Sequence, residues 1–209
     1  MLLLFVQNRE CTYSNRLQKF LDAFSGMPDL FQITKIAMGG TNTAVGSQVF
    51  DFDLLPEQAQ DADIVINGYA TNDMHVLSVM EALSNNKTLG DYVFNMTQEF
   101  VRDVLKDDPC REKPLLIHLD DYLGNEQREI LSTMELSQAV QSLADYYGFN
   151  RISYANLVRD IVYGDTKEHW FSPEGWWPKG AKKMEREIHP GMGTLVASWP
   201  VFVCGFLWT

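Results

Sequence analysis

The sequence predicts an α/β domain in three layers, α/β/α, around a central parallel sheet. Two observations carry that expectation: short apolar runs rich in β-branched residues recur along the chain, and segments of helical period separate them. The 209 residues contain no Pro/Gly/Ser-rich linker, so 1–209 reads as a single domain. With 45% apolar, 12% aromatic and 22% charged residues, a chain of this length buries a sizeable core and is not intrinsically disordered.

The expected strands are 2–6, 32–38, 63–69, 114–119 and 151–154. Between them, 91–105 sets Val93, Met96, Thr97, Phe100, Val101, Val104 and Leu105 at helical spacing, and Thr88 with Asp91 is placed like a capping box. The segment 133–147 carries Leu136, Ala139, Val140, Leu143, Ala144 and Tyr147 on one stripe. It opens at Ser132 with Glu135 three residues on, and stops at Gly148. Shorter helices are expected over 13–24 and 76–83, and 169–183, dense in Trp, Gly, Pro and Lys, reads as a loop.

Seventeen Lys and Arg against 28 Asp and Glu give a net charge of −11, which leaves no electrostatic footprint for a phosphate backbone and argues against a nucleic-acid partner. Cys11, Cys110 and Cys204 are too few and too scattered for a disulfide framework or a zinc knuckle. The apolar start has no basic flank and meets Gln7, Asn8 and Arg9, so it reads as a strand and not as a signal peptide. The apolar stretch 195–208 is shorter than the ~20 residues of a membrane span and holds Pro200 and Gly205; a core-packed element is expected there. Asn86-Lys87-Thr88 and Asn95-Met96-Thr97 fit the glycosylation acceptor pattern, which matters only in a secretory pathway. Compartment and oligomeric state are not legible.

In an open α/β sheet, function gathers beyond the carboxyl ends of the strands. Gly39-Gly40 ends one apolar run, where a glycine brings a bare N–H close to a ligand or simply makes a strand-to-helix turn. Gly46 completes no phosphate-binding spacing with it. Asn72-Asp73 follows another run, which places both at the crevice rim: the Asn72 amide can donate to a developing oxyanion, while Asp73 has the bland role of capping the next helix. His75 reads as a surface residue at the start of that helix. In Glu187-Ile188-His189-Pro190, proline keeps the preceding residue out of the α region and holds His189 on a loop beside a carboxylate, the form a general base takes. Asp73, His75, His118, Asp120 and Asp121 would be the ligands of a metal-dependent hydrolase, although Asp120-Asp121 is as easily a turn with solvated carboxylates.

The order of glycine pair, Ala70-Thr71-Asn72-Asp73 block and terminal His189-Pro190 resembles the SGNH (GDSL-type) hydrolase family over nearly the whole chain. The resemblance implies a flavodoxin-like three-layer fold. It also implies esterase, lipase or carbohydrate-deacetylase chemistry on small-molecule or carbohydrate esters, without metal or other cofactor. Gly40 and Asn72 would then form the oxyanion hole and His189 would be the base. The chain departs from the family where its nucleophilic serine belongs, because Gln7-Asn8-Arg9-Glu10 follows the first run; Ser14, along with Thr12, offers the nearest hydroxyl. Arg186 stands where the family places the triad aspartate, so Glu187 or Glu185 would orient the imidazole. Either the chain is a degenerate member or its start omits the serine turn. The rival expectation is a catalytically silent SGNH-like domain that binds glycan or protein through Trp170, Phe171, Trp176 and Trp177.

Overall fold

The computed structural model describes residues 13–36, 41–73, 84–86, 88–106, 112–120, 131–164, 166 and 168. In chain order these form α1 (Tyr13–Ser25), α2 (Thr43–Asp51), the single turn α3 (Glu57–Gln60), β1 (Ile64–Asn67), the single turn α4 (Ala70–Asp73), α5 (Leu89–Val104), β2 (Leu115–Asp120), α6 (Leu131–Tyr147), β3 (Asn150–Ser153) and α7 (Tyr154–Tyr163). The three strands make a parallel sheet in the order β1-β2-β3. The fold class is therefore α/β with a parallel sheet, consistent with the three-layer arrangement expected from the sequence.

Pairing of Val65 with Leu116 and of Asn67 with His118 fixes the register, and alternation then sorts the two faces. One face presents Val65 and Leu116 to the helices. The main core gathers there: Val93, Met96, Phe100, Val101 and Val104 from α5, Val140, Leu143 and Ala144 from α6, and Phe149 just before β3. On the other face Ile64, Ile66 and Leu115 keep 50%, 42% and 43% of their surface exposed.

The stripe expected of 91–105 is the buried face of α5, and Thr88 and Asp91 form the reciprocal capping box. The α6 helix begins at Leu131, two residues before the expected start, and ends as expected at Gly148, whose φ of 73° suits the left-handed terminus. The strand expected over 32–38 does not form in its described part, for 32–36 has no regular structure. A helix side chain takes the place of a ladder there: Gln18 of α1 donates to the Phe31 carbonyl at 2.6 Å and accepts from the Ile33 N–H at 3.1 Å. Tyr154, expected to end a strand, instead starts α7 directly after β3. The expected elements 2–6, 76–83 and 169–183 lie outside the described residues, as does 195–208.

Candidate active site

The carboxyl ends of β1 and β2 carry polar side chains that are buried: Asn67, His118 and Asp120, joined from neighbouring elements by Thr43 and Asp73. Buried polar groups are tolerable only when hydrogen-bonded, and here one network serves most of them. Asp73 accepts from the Thr43 N–H at 2.7 Å and from the Thr43 hydroxyl at 2.6 Å. The Asn67 amide donates to the Thr43 hydroxyl oxygen at 3.2 Å and lies 3.3 Å from His118 Nδ1. Asn67 Oδ1 in turn accepts from the Tyr69 N–H at 3.1 Å, which bends the chain out of β1 into α4. On the same face, Arg151 of β3 faces Asp120, the last residue of β2, at 3.5 Å.

A second set of contacts binds the turn before α2 to the turn after β1. The Asn72 amide donates to the Thr41 carbonyl at 2.6 Å. The Tyr69 hydroxyl engages the Thr41 side chain, and its ring lies against α2 at Gly46, where an added Cβ would come within 2.9 Å of it. Gly46 thus serves close packing. The N-terminus of α2 is closed by Asn42, whose side chain accepts from the Val45 N–H, and by Asp73 on Thr43.

Burial sets the charge states. Desolvation raises the Asp73 carboxyl to about 7, against the pull of its two bonds from Thr43. Desolvation, reinforced by the Arg151 charge, lowers His118 to about 4. At neutral pH His118 is therefore uncharged. Tyr69 is raised by its burial and by Asp73.

Of the residues expected to form a site, Asn72 stands half-buried in α4 just beyond β1, against the residue that follows the glycine pair. Ser14 is the second residue of α1 and only 5% exposed. Gly40, Glu187 and His189 lie outside the described residues, as do Gly39, His75, Asp121, Glu185 and the four aromatics of the 169–183 loop. Two expectations need correction. Asp73 is buried instead of standing at a rim, and it caps α2, 30 residues earlier in the chain; the helix expected to follow it lies outside the described residues. Asp120 is not a solvated turn residue, because it ends β2 buried against Arg151. Among the described residues no group of three or more His, Cys, Asp or Glu side chains gathers to hold a metal ion. Sequence reasoning missed Thr43 and Asn67, which carry no catalytic signature; the signal for Asn67 is a polar residue ending an otherwise apolar strand.

The arrangement defines an α/β protein whose polar site sits beyond the carboxyl ends of parallel strands, where such folds bind ligands. No protein-family model matches the chain, and no curated protein matches it either. Among solved structures it is similar to a two-domain esterase, CEX, active on acetylated mannans: the TM-score is 0.60 at 16% identity, covering 96% of this chain and 43% of that one. The same esterase co-crystallised with mannopentaose gives a TM-score of 0.59, also at 16% identity, with 96% and 44% covered. The chain thus spans less than half the length of that protein, and at this identity the likeness is one of fold.

Proposed function

We propose that the chain is an SGNH-type ester hydrolase acting on small or carbohydrate-borne esters, acetyl esters of polysaccharides among them. The observation that carries this reading is the bond from the Asn72 amide to Thr41, which joins the asparagine block to the residue next to the glycine pair. These are the two blocks from which an oxyanion hole would be built. The fold shared with an esterase active on acetylated mannans supports it. In the proposed reaction a serine hydroxyl, with Ser14 as candidate, attacks the acyl carbonyl while His189 takes its proton, oriented by Glu187 or Glu185. The Gly40 N–H and the Asn72 amide hold the oxyanion, the alcohol leaves with the proton from His189, and water then releases the acid.

A second reading, a catalytically silent domain on the same scaffold, is favoured by one observation: Ser14 is buried in α1, and a buried hydroxyl does not reach a substrate. Fluorophosphonate labelling with peptide mapping, run beside p-nitrophenyl acetate hydrolysis, separates the two. Labelling at Ser14 that is lost in His189→Ala supports the hydrolase. Absence of both labelling and turnover supports the silent domain.

A further inference from the structure

We propose that Asp73 is the positioning residue for Asn72: by gripping Thr43 it holds the 41–43 turn in place, so that the Thr41 carbonyl fixes the plane of the Asn72 amide. The proposal rests on the reading of Asn72 as an oxyanion donor and deepens it. Two consecutive residues, Asn72 and Asp73, grasp two residues of a single distant turn, Thr41 at 2.6 Å and Thr43 at 2.6 and 2.7 Å. Both grips spring from one rigid base, because the N–H groups of Asn72 and Asp73 both donate to the Tyr69 carbonyl, at 2.8 and 3.0 Å.

The grip is at its fullest when Asp73 is ionised, above about 7. The two carboxylate oxygens accept the N–H and the O–H of the same threonine at once, while the hydroxyl oxygen of Thr43 accepts from Asn67 behind it. With the turn so anchored, the bond from the Thr41 carbonyl sets the Asn72 side chain. Asp73 is itself 1% exposed, so it acts on a substrate only through Asn72. Displacement of an oxyanion donor by a fraction of an ångström weakens the transition state far more than the ground state.

The test uses the full chain. In a ¹H–¹⁵N spectrum the Asn72 side-chain amide is assigned by its disappearance in Asn72→Asp, and its hydrogen exchange is then followed in Asp73→Asn, Thr43→Val and Thr43→Ser. Expected are loss of exchange protection in the first two and retention in Thr43→Ser, which keeps both donors. With p-nitrophenyl acetate, Asp73→Asn and Thr43→Val should lower kcat about 10- to 100-fold with KM unchanged, and Thr43→Ser should restore it. An Asn72 amide that is equally protected in folded Asp73→Asn or Thr43→Val overturns the proposal. If Asp73→Asn does not fold, the contrast between Thr43→Val and Thr43→Ser decides alone. Should the wild-type chain turn over no ester, the hydrolase reading fails, while the amide spectra still decide whether Asp73 positions Asn72.

Discussion

Asp73 and His118 are the two ends of one buried chain of hydrogen bonds, Asp73 to Thr43, Thr43 to Asn67 and Asn67 to His118. Their burial pushes them in opposite directions, the carboxyl up to about 7 and the imidazole down to about 4. Between those values both ends are neutral, so the network lies in the interior without a charge at either end.

This opposition has a sign that can be measured. Asp73 is protonated in both folded and unfolded states below its ordinary 3.8, and its burial destabilises the fold increasingly as pH rises from there to about 7. His118 is neutral in both states above its ordinary 6.5, and its burial destabilises the fold as pH falls from there to about 4. Each contributes a slope of at most about 1.4 kcal/mol per pH unit, and in the shared window the slopes oppose each other. Urea titrations across that window should show His118→Asn losing stability relative to wild type as pH rises. Asp73→Asn should gain stability relative to wild type as pH rises. Equal slopes in the two variants would refute the assignment.

Gly46 and Gly90 should respond to alanine with opposite signs. Both lie in helices, where alanine is favoured over glycine by up to about 1 kcal/mol. At Gly46 the new methyl meets the Tyr69 ring at 2.9 Å and the Phe100 ring at 3.2 Å, and overpacking of this kind costs about 1–3 kcal/mol. At Gly90 its nearest neighbour is the Thr88 hydroxyl at 3.8 Å. Gly46→Ala is therefore expected to lower the urea midpoint and Gly90→Ala to raise it.

Thr88→Ala removes the oxygen that accepts from the Asp91 N–H at 3.1 Å and donates to the Asp91 carboxylate at 2.7 Å. Loss of such an N-cap costs about 1 kcal/mol. Thermal unfolding should register it as a lower Tm, with Thr88→Ser close to wild type.

For the proposed ester hydrolysis, Asn72→Ala should lower kcat about 10²–10³-fold and leave KM nearly unmoved, the effect of losing one oxyanion donor. Steady-state kinetics on p-nitrophenyl acetate checks it; an equal rise in KM with kcat intact would mean that Asn72 binds the substrate uniformly instead.

The sheet and its principal helices were legible because their signals are local. Val93 to Val104 repeat at helical spacing, Thr88 and Asp91 cap, Gly148 stops, and the runs around Ile64 and Leu116 are apolar enough to be strands. The 32–38 strand misled because apolarity alone does not reveal that a glutamine from α1 will take the backbone bonds. Helix α2 was obscured by Gly46, a poor helix former kept for the approach of Tyr69. The position of Asn72 just beyond a strand was legible. The partnership of Asp73 with Thr43 was not, since no short-range pattern records a bond between residues 30 apart.

The closure of α2 by Asp73 also has a bearing on the order in which the chain folds. At nine residues, with a glycine inside it, α2 is below the ~12–15 residues at which an isolated helix becomes marginally stable in water. Its first N–H is bonded to a carboxylate that arrives only when β1 and α4 are in place. The helix is thus not expected to stand before its tertiary partners, α5 among them, are in place.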